Sequence, residues 1–179
     1  RHVTIENCVF ERMGQGLWFT GAWTTDLWCE GMGVENYLVR NCVFREGCQQ
    51  ERGFTNGLAP EIKTFLRIPG TVRADKPRPG FYRDILIENC RFENLAGAVL
   101  EILHAKNFIF RNNTIVDDGK LSPRRTCRND LFFGNCNGVT VSDCRWLLVK
   151  GIPEPKISLT AEDVQALHVK GNSINYEND

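Results

Sequence analysis

The chain has 179 residues, with 22 basic and 22 acidic side chains and a formal net charge of zero. That balance argues against a broad nucleic-acid footprint. No run of 18 apolar residues occurs, so no membrane span is expected, and the length fits a single domain, 1–179.

The first element, Val3-Thr-Ile-Glu-Asn-Cys-Val-Phe10, recurs along the chain. It returns as Leu38-Val-Arg-Asn-Cys-Val-Phe44 and, most cleanly, as Ile85-Leu-Ile-Glu-Asn-Cys-Arg-Phe92. Looser copies are Phe108-Ile-Phe-Arg-Asn-Asn-Thr-Ile115, Val139-Thr-Val-Ser-Asp-Cys-Arg-Trp146 and Leu167-His-Val-Lys-Gly-Asn-Ser-Ile174. Six copies identify a repeat protein. Each copy alternates apolar and other residues with a period of two, which is the pattern of a strand. The Asn-Cys pair breaks the alternation, so a turn is expected there, followed by a second short strand. Strands this short bury an apolar face only when successive copies stack. No helical crossover is readable between copies, so the strands are expected to run parallel.

The second turn residue forms a ladder of Cys8, Cys42, Cys90, Asn113, Cys144 and Asn172, with steps of 34, 48, 23, 31 and 28 residues. The shortest step matches one plain coil of three strands and three turns, and the longer steps add loops. Cys8, Cys42, Cys90 and Cys144 read as buried thiols filling a small inward site. Cys29 and Cys48 fall in loops of neighbouring coils, where a disulfide stays open as an alternative. No Cys-x-x-Cys pair or histidine cluster occurs, so no metal or cofactor is expected.

Long loops are expected at 20–36, 45–60, 66–83 and 116–130. The first carries Asp26 and Trp28, and the third is basic, with Arg73, Lys76 and Arg78. Between the loops lie candidate strands at Leu17–Phe19, Glu61–Phe65, Val99–Leu103 and Leu131–Phe133. Stacked insertions on both sides of one strand build walls around a groove. The chain opens inside a repeat and closes just after one, with no readable cap, so it is expected to be part of a longer solenoid. End-to-end self-association is a further expectation, from exposed end strands.

The recurring phrase I-E-N-C-x-F, or I-x-N-N-x-I, resembles the repeat of right-handed parallel β-helix proteins that act on polysaccharides. The resemblance covers nearly the whole chain. It implies an all-β solenoid of about six coils and a carbohydrate-active protein, bacterial and either secreted or periplasmic. Among such proteins the large groove loops look most like the α-1,3-galactosidase-like glycoside hydrolases, although no catalytic motif of that group is matched residue by residue. In this fold the outward face of the strand after the second turn carries the site.

Aligning those strands by their inward apolar residues yields an outward column of Trp18, Glu61, Glu101, Phe132 and Ser158. Glycoside hydrolysis needs two carboxyls, and Glu61 with Glu101 are the expected pair, with Asp130 as a third candidate. Trp18 and Phe132 are expected to stack on sugar faces, with Asp26, Trp28, Arg73 and His104 as further contacts to an oligo- or polysaccharide. Asp117-Asp118-Gly119 reads as an ordinary turn, and Asn112-Asn-Thr114 as an acceptor sequence set aside because it lies in the ladder turn. Trp146 takes the aromatic slot of the repeat and is expected in the core. Two other functions stay open: a polysaccharide lyase using the basic loop on an anionic polymer, and a non-catalytic carbohydrate-binding or structural β-helix.

Overall fold

The computed structural model describes residues 2–13, 17–18, 23–24, 29–30, 34–47, 64–68, 82–120, 129–159 and 164–177. Among them every regular element is a strand. The chain begins with β1 (Val3–Glu6), β2 (Val9–Glu11) and β3 (Leu17–Trp18), then forms a short antiparallel pair, β4 (Trp23–Thr24) with β5 (Cys29–Glu30). Next come β6 (Val34–Arg40), β7 (Val43–Arg45) and β8 (Thr64–Ile68), then β9 (Tyr82–Glu88), β10 (Arg91–Glu93) and β11 (Ala98–Leu103). They are followed by β12 (Ala105–Arg111), β13 (Thr114–Asp117) and β14 (Leu131–Gly134), then β15 (Asn137–Ser142), β16 (Arg145–Val149) and β17 (Ile157–Leu159). The described chain closes with β18 (Gln165–Lys170) and β19 (Ser173–Glu177).

Three parallel sheets collect these strands in turn. The first has the order β1-β6-β9-β12-β15-β18, the second β2-β7-β10-β13-β16-β19, and the third β3-β8-β11-β14-β17. Each sheet thus stacks its strands in chain order, a topology compatible with a parallel β-helix.

The repeat explains the corner between the first and second sheets. Asn7, Asn41, Asn89, Asn112 and Asp143 all have φ between 53° and 56°, with Gly171 at 66°. Asparagine and aspartate tolerate this left-handed backbone better than most residues. The next residue then points inward. Where it is cysteine, the thiol donates to the carbonyl two residues earlier, as Cys90 does to Glu88 at 3.3 Å. Where it is asparagine, the side chain bridges to the preceding turn. Asn113 Oδ1 accepts the Cys90 N–H at 2.8 Å and its Nδ2 donates to the Ile87 carbonyl at 3.0 Å. Asn172 makes the same two bonds to Cys144 and Val141. These two inward amides are tied to backbone rather than to each other, and a cysteine separates them in the ladder.

Behind the corner, the inward aromatics of the first three repeats stack on one another. Phe10 and Phe44 have ring centroids 5.0 Å apart, and Phe44 and Phe92 5.1 Å. Ile115, Trp146 and Ile174 continue the column by register. Trp146 is buried as expected, and its Nε1 donates to the Asn129 carbonyl at 3.3 Å. Cys42, Cys90 and Cys144 are buried and Cys8 is half-buried. Outside, Glu6, Arg40, Glu88 and Arg111 share one row of the first sheet, with Arg40 Nη2 2.6 Å from Glu6 and Arg111 Nη2 2.7 Å from Glu88. Exposed pairs of this kind are each worth at most about 1 kcal/mol. Their alternation of sign mainly disfavours slipped registers.

The expected loops need correction at their edges. Residues 23–24 and 29–30 form a two-stranded pair inside the first, and β6 already begins at Val34. The strand expected at Glu61–Phe65 is Thr64–Ile68, because Leu66 and Ile68 are the register partners of Leu100 and Ile102. The loop expected at 66–83 accordingly gives up Leu66–Ile68 to β8 and Tyr82–Arg83 to β9.

Two outcomes test this packing. Asn113→Ala should cost about 2–4 kcal/mol in urea unfolding, since it leaves a buried N–H and C=O unpaired. Asn113→Cys, which restores the ladder thiol, should cost less. Burial pushes the Cys90 thiol up to about 12 from an ordinary 9.0. A raised folded value favours the folded state fully below the unfolded value, and that contribution is lost as pH rises from about 9 through about 12. Cys90→Ala should therefore lose less stability than the wild type between those pH values in alkaline denaturation. Equal slopes would contradict the account.

Candidate functional site

The third sheet carries the candidate site. Leu17, Leu66, Leu100, Leu131 and Ile157 are register partners across it. The next position along each strand reads Trp18, Arg67, Glu101, Phe132 and Ser158. Four of the five residues expected in the column stand there. The fifth does not: Arg67 occupies the place beside Glu101 that was expected for Glu61. Glu61 itself lies outside the described residues, as do Asp26, Trp28 and Arg73.

The surroundings of Glu101 also differ from an open groove floor. All six residues of β11 are buried, and Glu101 is only 5% exposed. Both faces of this strand are covered, whereas Phe132 beside it is half-buried. A carboxyl in such a place is set by low dielectric and fixed neighbours rather than by bulk water.

Asp130, just before β14, is 6% exposed. Its Oδ1 accepts the backbone N–H of Lys156 at 2.7 Å, and its carbonyl accepts the N–H of Val99 at 2.9 Å. It thus links the starts of β11, β14 and β17. Burial raises its pKa, opposed by the Lys156 hydrogen bond and the Lys156 charge. His104 ends β11 with φ 59°, and its N–H donates to the Gly134 carbonyl at 2.9 Å. His104, expected as a saccharide contact, is buried, which lowers its pKa and favours the neutral imidazole. The third sheet therefore sets Phe132 beside Glu101, with Asp130 at the start of the paired strands and His104 just past their far end.

A second polar group was not anticipated. Asp117, at the end of β13, is 1% exposed rather than part of a surface turn. Its Oδ1 accepts the Gly119 N–H at 3.0 Å and its Oδ2 accepts Asn129 Nδ2 at 2.8 Å. Asn129 N–H donates to the Gly97 carbonyl at 3.2 Å. The pair clamps the two ends of the segment between β13 and β14. A signal was present: Asp117 lies two residues after inward Ile115, so it keeps the inward parity of the strand.

Among the described residues no group of three or more His, Cys, Asp or Glu is placed to hold a metal ion. Nor is any helix among them long and apolar enough to cross a membrane, a statement that does not extend to β-barrels.

Asp117→Ala should destabilise the fold by about 3 kcal/mol in urea unfolding, because the Asn129 amide and the Gly119 N–H lose a charged acceptor in a buried setting. Asp118→Ala, which removes a half-exposed carboxylate paired with Lys120, should cost less than about 1 kcal/mol.

Comparison of the chain with protein-family models, curated proteins and solved structures yields no match.

Proposed function

We propose that the chain is a right-handed parallel β-helix of about six coils and acts on carbohydrate as a glycoside hydrolase. The observation that supports this most is the pair of nearly buried carboxyls, Glu101 and Asp130, on adjacent strands of the third sheet. Asp130 precedes Leu131, the partner of Leu100, so it is offset from Glu101 by two positions along the strands. With strands about 4.8 Å apart and about 3.3 Å per residue, the two backbone positions are separated by roughly 8 Å. Two acids this near along the sheet can divide the work of hydrolysis, one carboxyl protonating the leaving oxygen and the other acting as base.

The environments divide the roles. Desolvation raises the Asp130 pKa, which suits a general acid. Glu101 then serves as the base. Phe132, half-buried in the same column as Glu101, offers an aromatic surface to a sugar ring. His104, neutral, is a hydrogen-bonding group near the end of the same strand. The substrate is an oligo- or polysaccharide, and a secreted or periplasmic location belongs to the same reading by resemblance.

One observation favours a second reading. Asp130 spends one carboxylate oxygen on the Lys156 amide, and both acids are nearly inaccessible. On that basis they are structural pegs, and the protein is a non-catalytic carbohydrate-binding or structural β-helix.

Release of reducing sugar from a panel of neutral and acidic oligosaccharides separates the two. The hydrolase reading predicts cleavage by the wild type and a loss of at least about 100-fold in Glu101→Gln and in Asp130→Asn. Activity should fall as pH rises through the raised Asp130 pKa, since the acid must carry its proton. Oligosaccharide binding without cleavage supports the second reading. Variants that cleave at the wild-type rate would remove these residues from the chemistry.

A further inference from the structure

The corner between the first and second sheets forms an exposed ridge. Asn7, Asn41, Asn89, Asn112, Asp143 and Gly171 stand along it, one per repeat, and all six are exposed. Parallel pairing spaces them about 4.8 Å apart. In each copy the next residue turns inward, and the one after it opens the second sheet.

The phrase Asn112-Asn-Thr114 crosses this ridge. Its place in the ladder turn was the reason to set it aside, and the geometry removes that reason. The buried ladder site belongs to Asn113, which is 1% exposed and whose amide is bonded to backbone at both ends. Asn112 is exposed, with φ 53°, and among the described residues its side-chain amide makes no hydrogen bond. Only its backbone is engaged, the N–H donating to the Ser142 carbonyl at 3.0 Å. Thr114, half-buried at the start of β13, shares an outer row with exposed Arg91 and Arg145. The Asn112 amide and the Thr114 hydroxyl therefore both lie on the outer side, with Asn113 turned in between them.

The repeat supplies its own controls. Asn7, Asn41 and Asn89 hold the same left-handed corner, with φ of 54–56°. Two residues on, however, they are followed by Val9, Val43 and Arg91, which carry no hydroxyl. Glycosylation on asparagine requires Ser or Thr two positions on and a middle residue other than proline. Asn112 meets both conditions, and no other Asn-x-Ser or Asn-x-Thr occurs in the sequence.

We infer that Asn112 is an N-glycosylation acceptor. It takes an oligosaccharide from a polyprenyl-diphosphate-linked donor when the chain enters a secretory compartment that holds an oligosaccharyltransferase. Asn112 Nδ2 attacks C1 of the first sugar. The C1–N bond forms, the C1–O bond to the diphosphate breaks, the amide gives up one proton, and the polyprenyl diphosphate leaves with the electron pair. Transfer to the growing chain comes before β15 arrives to hold the Asn112 N–H, so the closed turn does not oppose it. The glycan then stands on the ridge between the first two sheets, apart from the third sheet and its carboxyls. This inference does not rest on the hydrolase reading.

The test places the full chain behind a secretion signal in eukaryotic cells and collects the protein from cells and medium together. Peptide N-glycosidase in heavy-oxygen water, followed by trypsin, should yield peptide 112–120 with a labelled aspartate at its first position. Peptides 41–45 and 84–91, which hold Asn41 and Asn89, should stay unlabelled. Thr114→Ser should keep the modification, and Asn112→Gln and Thr114→Val should lose it. An unmodified Asn112 in the wild type, label persisting in peptide 112–120 of Thr114→Val, or a glycan at Asn41 or Asn89 would overturn the inference.

Discussion

Everything in this structure depends on one constraint: each strand must lie in register on its predecessor, with the same kind of residue pointing inward. A parallel stack of short strands has no local reward, because each strand's partners come from the next turn of the chain. The inward rows therefore carry the stability. Ile5, Val39, Ile87, Phe110 and Val141 form one such row, and Phe10, Phe44 and Phe92 another. A slip of one residue would turn each apolar row to solvent. The left-handed residue at every first corner, Asn at four of the six, keeps the phase, since it sets where the chain leaves one sheet for the next.

The same constraint explains the polar exceptions. An inward Asn is tolerated at Asn113 because the carbonyl and N–H of the preceding turn stand at hydrogen-bonding distance. Cysteine fills the site elsewhere, as a small side chain whose weak donor is satisfied by its own strand. Asp117 and Asn129 show a third solution, in which a buried amide N–H donates to a buried carboxylate across the base of a long segment. Once a turn holds a buried carboxylate, its loop is anchored to the stack at both ends.

Much of the fold was legible because the repeat states its period openly. The copies beginning at Val3, Leu38, Ile85, Phe108, Val139 and Leu167 coincide with strands of the first sheet and their following turns. The third sheet was harder. Of its strands β14 is followed by an Asn-Cys pair, Asn135-Cys136, but the others are not, so their alignment rests on apolar parity. In the second repeat, the expected column puts Glu61 beside Glu101, whereas Arg67 is the register partner. A displacement of six residues preserves the period of two, so the error left no trace in the pattern. Burial of Glu101, Asp130 and His104 was equally unreadable, since it depends on what covers β11 rather than on β11 itself.

The proposal is that Glu101 and Asp130, offset by two positions across neighbouring chain segments, work as a carboxyl pair, with half-buried Phe132 beside Glu101. A crystal structure of the protein soaked with mixed oligosaccharides tests it most directly. The account predicts Arg67 and Phe132 on either side of Glu101, and a sugar ring against Phe132 within reach of both carboxyls. Glu61 in register beside Glu101, or carboxyls turned to opposite sides of the sheet with no sugar between them, would contradict it.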